Sequence, residues 1–545
     1  MIEVYPSIPE VFARSAKLHG EQVAIRIPAA KGRHISYRQA TYRELWELSG
    51  RMAAWLSAQG VREADRVGLL GKPTVSWAIA FYAVQRLGAV AVPLDAGLQP
   101  AEVSRILGEA EAKVFICSPQ RYEEFLPLRK NVPSLEEIVA MDTSPGTMSL
   151  WDILPDMVEK APDARPEAKE LAVLMYTSGT TGDAKGVMLS HKNLTSNVEA
   201  LLKVLNISSS DRIVTIVPWH HIYGLTTTLL TPVSAGAQVT YTDDYRNLLE
   251  VIQRVECTIL VGVPKLYHAL WRRMKENIDG NGVRRLLHRF APRLLGVFLK
   301  RRVLGPSFRF FASGGAPLAP EVGAALRRLG LGVSEGYGLT ETSPILTFCE
   351  PFTRKAGTVG WPLPGVELRI DGRDAEGYGD VLARGPNISA GYYKNEQRTA
   401  EAFTQDGWFR TGDVGRIDEE GCLFLKGRKK HVIVLETGKN VYPEELEWEF
   451  HQIPEVEEVL VYERESGGRS TVAAMVYPNW DLLSQQAIKT KEAAHEFLWN
   501  KVKDAQNNMA AFKRLKGKED LTLVDEPFEK SIKLEIKRHI YTKQS

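Results

Sequence analysis

The feature that most narrows the fold is a rhythm in the first third of the chain, where helical and extended signals alternate at short intervals. Thr41-Tyr-Arg-Glu-Leu opens an amphipathic helix reaching about Gln59, with Thr41 as cap and Glu44 three residues on as its capping-box partner. Arg66-Val-Gly-Leu-Leu then reads as a strand, Val75 to Leu87 as a helix, and Ala89-Val-Ala-Val-Pro as a second short buried strand. Strands that are apolar on both faces and alternate with helices predict parallel sheets covered by helices, an α/β architecture. The rhythm returns over 171–270. From about Gly357 it gives way to short strands and turns punctuated by Gly372, Gly377, Gly379, Gly407 and Gly421. Beyond Arg428, strands such as Val459-Leu-Val-Tyr mix with a helix around Glu492–Val502, which predicts a small separate α+β unit.

At 545 residues the chain exceeds what one hydrophobic core organises, so two or more domains are expected. With 44% hydrophobic and 25% charged residues it is neither disordered, collagen-like nor a coiled coil. Its 69 basic and 67 acidic residues sum to +2, which gives no sign of a nucleic-acid partner. Cys117, Cys257, Cys349 and Cys422 form no CxxC pair, so neither a disulfide framework nor a structural zinc site is indicated, and a reducing, cytoplasmic compartment fits. The N-terminus lacks a basic stretch followed by an apolar one. Between Arg212 and Asp243 no side chain carries a formal charge except, when protonated, His220 and His221. Pro218, Pro232, several Thr and two Gly interrupt that run, which suits pieces of a soluble core better than a spanning helix.

The strongest single motif is Tyr176-Thr177-Ser178-Gly179-Thr180-Thr181-Gly182-Asp-Ala184-Lys185-Gly186, delivered by the apolar run Leu171-Ala-Val-Leu-Met. Small residues let backbone N–H groups crowd phosphate oxygens, the hydroxyls add donors, and Lys185 adds positive charge. It is not the P-loop of the common NTPases, because Ala184 precedes the lysine, Gly186 follows it, and the next run, Val187-Met-Leu-Ser, reads as a strand where a P-loop opens a helix.

This stretch resembles the phosphate-binding signature of the adenylate-forming superfamily, with Ala184 in place of the usual proline. Other family motifs follow in order. Ser313-Gly314-Gly315-Ala316-Pro-Leu resembles the adenine-side turn. Glu335-Gly336-Tyr337-Gly338-Leu-Thr340-Glu341-Thr resembles the segment whose ring stacks on adenine, whose threonine contacts the α-phosphate and whose glutamate helps hold Mg²⁺. Trp408-Phe-Arg-Thr-Gly-Asp413 and Gly427-Arg428 resemble the motifs whose aspartate and arginine reach the ribose.

The resemblance covers essentially the whole chain. It implies a large domain over 1–429, with mainly parallel, helix-covered sheets plus a small distorted β-barrel, and a small mobile α+β lid over 430–545. The hinge it implies is Lys430, followed here by His431 where many relatives carry an acid. It also implies a two-step, AMP-forming acyl-CoA synthetase that uses ATP, Mg²⁺ and CoA: a carboxylate attacks the α-phosphorus and expels pyrophosphate, and a thiol then takes the acyl group. Glu436-Thr-Gly438-Lys-Asn-Val-Tyr-Pro443 resembles the loop lining the pantetheine channel, where Gly438 lets a thin arm pass close to the backbone.

Relatives place an adenylation lysine near the C-terminus, and two matches stay open here. A gapless match of Ile-Lys537-Arg538 puts Glu535 at that position, whereas matching Ser-Ile-Lys puts Lys533 there, which is the reading we favour. On one strand, Lys533, Glu535 and Lys537 share a face. Pro218-Trp-His220-His221-Ile-Tyr223-Gly224 resembles the motif bordering the acyl pocket, with His221 at the usual histidine and His221, Tyr223, Gly224 and Gly338 as acid-binding candidates. A metal on the adjacent histidines is not expected, since no Cys or carboxylate lies nearby in sequence.

Between Asp279 and Glu321 there is no acidic residue, while arginines and lysines from Arg284 to Arg302 alternate with apolar side chains. This pattern suits weak peripheral contact with an anionic membrane and points to a fatty acid; the competing reading is surface helices with snorkelling arginines. Still open are an acyl-AMP ligase serving a separate carrier protein, an aryl or alicyclic acid–CoA ligase, and a catalytically impaired nucleotide-binding relative.

Overall fold

The computed structural model describes residues 5–31, 34–144, 147–154, 165–178, 184–353, 355, 357–435, 439–466, 469–530 and 536–542. By packing, the chain divides into two units. The first comprises Met1–Thr177, Ala184–Glu367 and Ala383–Phe409, and the second Ser178–Asp183, Leu368–Leu382 and Arg410–Ser545. The Phe409–Ile417 and Leu423–Arg428 strands pair with each other, and the residues from Arg410 on group by packing with the later chain.

In the first unit the helix expected from Thr41 runs Tyr42–Ala58. Thr41 Oγ1 accepts the Glu44 amide at 3.2 Å and Glu44 Oε2 accepts the Thr41 amide at 2.8 Å, so two end-of-helix donors are satisfied reciprocally. The Val75–Arg86 helix is buried along its whole length, which is why its sequence carries no polar stripe. Six strands form one sheet, in the order Glu137–Ala140, Ala112–Cys117, Arg66–Leu70, Val90–Leu94, Leu171–Ser178, Ala184–Ser190. The pairings from the first of these to the Leu171–Ser178 strand are parallel.

A second sheet has nine strands, in the order Trp361–Pro362, Ile345–Phe348, Gly332–Gly338, Phe310–Ser313, Ile259–Gly262, Arg212–Thr215, Gln238–Tyr241, Val23–Lys31, His34–Thr41. Its centre is parallel and its margins antiparallel. Helices and sheets share one large core containing Phe12, Trp77, Tyr82, Trp219, Tyr267 and Phe311; fully burying an aliphatic or aromatic side chain of this kind contributes roughly 1.5–3 kcal/mol. The uncharged run after Arg212 resolves into strand, short helical turns and strand, as its punctuation implied. Among the described residues no helix is long and apolar enough to cross a membrane.

Where a small barrel was expected, the described residues form a four-stranded sheet in the open order Glu367–Asp371, Gly379–Arg384, Phe409–Ile417, Leu423–Arg428. The second unit also holds the Val456–Ser466 and Arg469–Pro478 hairpin with a parallel third strand, Leu521–Leu523. The helices Pro443–Phe450 and Lys491–Ala505 close its core through Leu446, Phe450, Leu498 and Val502. All four cysteines are free and buried. Burial pushes the Cys117 and Cys257 thiols up to about 12.

Candidate active site

Two parallel neighbours in the nine-stranded sheet set the frame. The Phe310–Ser313 and Gly332–Gly338 strands pair with Ser313 opposite Glu335, so the residues that follow emerge side by side at the C-terminal edge of the sheet. That edge is where open α/β sheets place ligands. One strand delivers buried Gly314 and exposed Gly315 and Ala316; the other delivers half-buried Gly336, Tyr337 and Gly338 and then buried Thr340. Gly315 has φ of +84° and nothing within 4 Å of where a Cβ would stand, so its backbone borders open space. At Gly338 the constraint is contact instead, because a Cβ would lie 1.8 Å from the Pro344 carbonyl oxygen. Glu335 ion-pairs with Arg327 at 2.5 Å, and burial raises its carboxyl pKa against the pull of that guanidinium. That contact ties it to the neighbouring Pro320–Arg328 helix.

Glu341 is half-buried, and its Oε1 accepts a hydrogen bond from the Tyr392 hydroxyl at 2.8 Å. Tyr392 is a residue the sequence reading missed, since nothing local marks it. It arrives because Val187 and Tyr392 form an antiparallel bridge, with the Met188 and Tyr393 amides donating to the Gly391 and Gly186 carbonyls at 3.0 and 2.8 Å. The same bridge brings Lys185, whose Nζ stands 5.3 Å from the Tyr392 ring centroid. Burial and Arg398 lower the Lys185 pKa, while Glu341 and Glu401 pull it up. A half-buried carboxylate with one oxygen fixed by a hydroxyl and a lysine within electrostatic reach fits a hard divalent cation carrying phosphate oxygens.

The histidine motif reaches the same sheet edge. Tyr223 packs so closely on Gly314 that a Cβ there would be 2.6 Å from its ring, and its hydroxyl donates to the Gly262 carbonyl at 3.3 Å. Gly224 is forced by the turn, since a Cβ would meet the Pro218 carbonyl oxygen at 2.0 Å. From Tyr223, Ser313 and Gly336 a largely apolar cavity runs among Leu201, Leu205 and Phe348. The Leu201 and Leu205 walls come from the His191–Leu205 helix, which no motif had marked.

A carboxylate does stand beside the histidines: Asp95 Oδ2 lies 3.4 Å from His220 Nε2, and ligand atoms of Asp95, His220 and His221 lie within 4.8 Å of one another. Sequence distance hid it. Burial would raise the Asp95 pKa, but His220, the Gly97 amide donating to Oδ1 at 2.7 Å, and His221 together outweigh it and hold the carboxyl down at about 2.

In the second unit Asp413 and Arg428 are cross-strand partners, with Arg428 Nε 2.8 Å from Asp413 Oδ1. Exposed Lys430 sits in a single helical turn, Lys429–His431. His431 Nδ1 pairs with Glu444 Oε1 at 2.5 Å, and although burial raises the Glu444 carboxyl, this contact wins and lowers it. Lys537 lies outside any strand and reaches Glu529 at 3.5 Å, so it does not extend a strand face as expected. Thr177 lies at the end of the Leu171–Ser178 strand. Gly179, Thr180, Thr181, Gly182, Gly438, Lys533 and Glu535 lie outside the described residues, as does the side chain of Ser178.

Residues 12–393 match the AMP-binding enzyme family and residues 430–544 the AMP-binding enzyme C-terminal domain. A long-chain-fatty-acid–CoA ligase of Mycobacterium tuberculosis, FadD15, is 32% identical over 444 residues, 75% of this chain and 72% of that protein. Indoleacetate–CoA ligase of Aromatoleum aromaticum is 31% identical over 485 residues, 86% of this chain and 88% of its own. ATP-bound MatB of Rhodopseudomonas palustris shares the fold at a TM-score of 0.80 and 26% identity, with 98% of each chain covered. The chain belongs to the AMP-binding enzyme family. It is an acid–thiol ligase of the AMP-forming acyl-CoA synthetase class, and the reaction of that class uses ATP, Mg²⁺ and CoA.

Proposed function

We propose that the acid is a fatty acid, and that the residues gathered at the edge of the nine-stranded sheet activate it. One observation carries this reading: Ser313 and Gly336 line the apolar cavity, while their chain neighbours Gly314–Ala316 and Tyr337–Glu341 are nucleotide-motif residues. An acyl chain in the cavity therefore presents its carboxylate beside the phosphate-binding residues. One carboxylate oxygen attacks the α-phosphorus, a P–O bond forms, and the bond to pyrophosphate breaks. Thr340 and Lys185 bind the phosphate oxygens, and the backbone of Gly314–Ala316 and Gly336–Gly338 accommodates the base. Glu341, held by Tyr392, would bind Mg²⁺, which when bound offsets the charge of the departing pyrophosphate. Thr177, Ser178, Gly179, Thr180, Thr181 and Gly182 complete the phosphate loop. His221, Tyr223 and Gly224 border the acid.

Asp413 and Arg428 are assigned to the ribose, Lys533 to adenylation, Gly438 to the pantetheine arm, and Lys430 to the hinge of a lid over 430–545. In the second step the CoA sulfur attacks the acyl carbon and AMP leaves. Fatty acids lead because the cavity is apolar, and because FadD15, a relative, is a long-chain-fatty-acid–CoA ligase. We also place the protein in the cytoplasm, which its free, buried cysteines support, with residues 284–302 in weak contact with a membrane.

ATP–pyrophosphate exchange over fatty, aromatic and alicyclic acids, followed by thioester formation with CoA, tests the reading. Exchange is expected to be strongest with a fatty acid; strongest exchange with an aryl acid overturns the substrate assignment. Lys533→Ala should abolish exchange while leaving thioester formation from preformed acyl-adenylate largely intact. Equal loss of both steps, or of neither, removes Lys533 from its role.

A further inference from the structure

Asp95, His220 and His221 meet although they leave different sheets. Asp95 directly follows the Val90–Leu94 strand of the six-stranded sheet, and the histidines follow the Arg212–Thr215 strand of the nine-stranded one. Successive side chains on an extended chain point to opposite sides, so neighbouring histidines do not ordinarily face one point. Here the chain turns instead. The His221 amide donates to the Pro218 carbonyl at 3.4 Å, and the two imidazole rings come to lie 4.4 Å apart, centroid to centroid, tilted by 59°. Fully buried Trp219 pins this turn, its Nε1–H donating to Thr228 Oγ1 at 3.1 Å. On the facing side, the Gly97 amide donates to Asp95 Oδ1 at 2.7 Å, which orients the carboxylate with its other oxygen, Oδ2, 3.4 Å from His220 Nε2.

His220 is only 9% exposed, and among the described residues neither of its ring nitrogens finds a well-formed hydrogen bond. The approach to Asp95 is an ion-pair contact, longer than a good N–H···O bond. A buried polar ring left this way is costly, and native folds seldom keep one without a use for it. The same 3.4 Å is the right separation for two ligands of one ion: donors about 2.0–2.1 Å from a tetrahedral zinc lie about 3.4 Å from each other. Ligand atoms of all three residues lie within 4.8 Å of one another, so small side-chain adjustments bring the third donor in. Two imidazoles and one carboxylate suit zinc and its transition-metal neighbours, whereas Mg²⁺ takes oxygen donors. None of the three residues belongs to the Glu341, Tyr392 and Lys185 group.

We infer that Asp95, His220 and His221 form a binding site for a divalent transition-metal ion of the zinc kind, held by two imidazoles and one carboxylate with water completing its shell. The ion ties the end of the Val90–Leu94 strand to the Pro218–His221 turn, and it is a second metal site beside the one built on Glu341. Its test does not depend on which acid is activated. The full chain is stripped of metal by chelation and kept free of nucleotide. Equilibrium dialysis should then show one tightly held Zn²⁺ per chain, retained against a large excess of Mg²⁺. X-ray absorption of the zinc-loaded, unaltered protein should show nitrogen and oxygen ligands at about 2.0–2.2 Å, two imidazoles among them, and no sulfur at about 2.3 Å. Asp95→Asn and His220→Gln should each weaken zinc retention about tenfold or more, in protein whose circular dichroism matches the parent. Where a variant misfolds, the ligand set of the unaltered protein decides. No retained zinc, displacement by Mg²⁺, sulfur ligation, fewer than two imidazoles, or folded variants that hold zinc as well as the parent would each overturn the assignment.

Discussion

His191 is fully buried, and its Nδ1 accepts the backbone amide of Ile8, the first residue of the Ile8–His19 helix, at 3.3 Å. Only the ring that is unprotonated at Nδ1 can accept that bond, and burial pulls the imidazole pKa down to about 4. An unfolded chain takes up the proton near pH 6.5, so stability is fully present above about 6.5 and drains away as the pH falls toward about 4, by roughly 3 kcal/mol in all. Urea unfolding across that range should show the slope in the parent and a flatter one in His191→Gln; parallel slopes would remove His191 as the cause. At Tyr392 the hydroxyl fixes one oxygen of Glu341. Tyr392→Phe should therefore raise the Mg²⁺ concentration for half-maximal exchange about tenfold, as loss of a group behind a metal ligand commonly does. An unchanged Mg²⁺ requirement would show that Glu341 needs no such support.

Strand register assembles the candidate site, and two glycines at its edge separate conformational from steric need. Gly315→Ala meets open space but keeps a left-handed backbone, an expected cost of about 1 kcal/mol. Gly338→Ala drives a methyl into the Pro344 carbonyl, and should cost about 1–3 kcal/mol or more. Thermal melting of both should rank Gly338→Ala as the less stable; the reverse order would contradict this reading of the turn. The elements themselves were largely legible, because helix and strand periods and the Thr41–Glu44 cap are local properties of the chain. The motif glycines were legible too, since small residues bunched after an apolar strand have few other uses. What stayed hidden were partners set by long-range pairing. Tyr392 reaches Glu341 from 51 positions away, Asp95 faces His220 across unrelated elements, and Leu201 and Leu205 look like ordinary core until the cavity is seen. The strand expected at Lys537 did not form, and an isolated bridge from Lys530 to Ile536 with a short helix from Arg538 stands in its place.

Across the whole molecule, the two half-reactions should be separable by one backbone change. Proline at 430 fixes φ and removes an N–H, so Lys430→Pro should preserve ATP–pyrophosphate exchange and slow thioester formation tenfold or more if the lid turns there. Equal slowing of both steps would move the hinge elsewhere. The buried cysteines carry a practical consequence for following such a motion. Cys117, Cys257, Cys349 and Cys422 are all enclosed, and two of them have thiols held near 12, so the thiolate that alkylating dyes attack is scarce at neutral pH. The native chain is then a quiet background for labelling: a single cysteine introduced on the surface of each unit can carry a fluorophore pair, with no need to strip the natural sulfurs first.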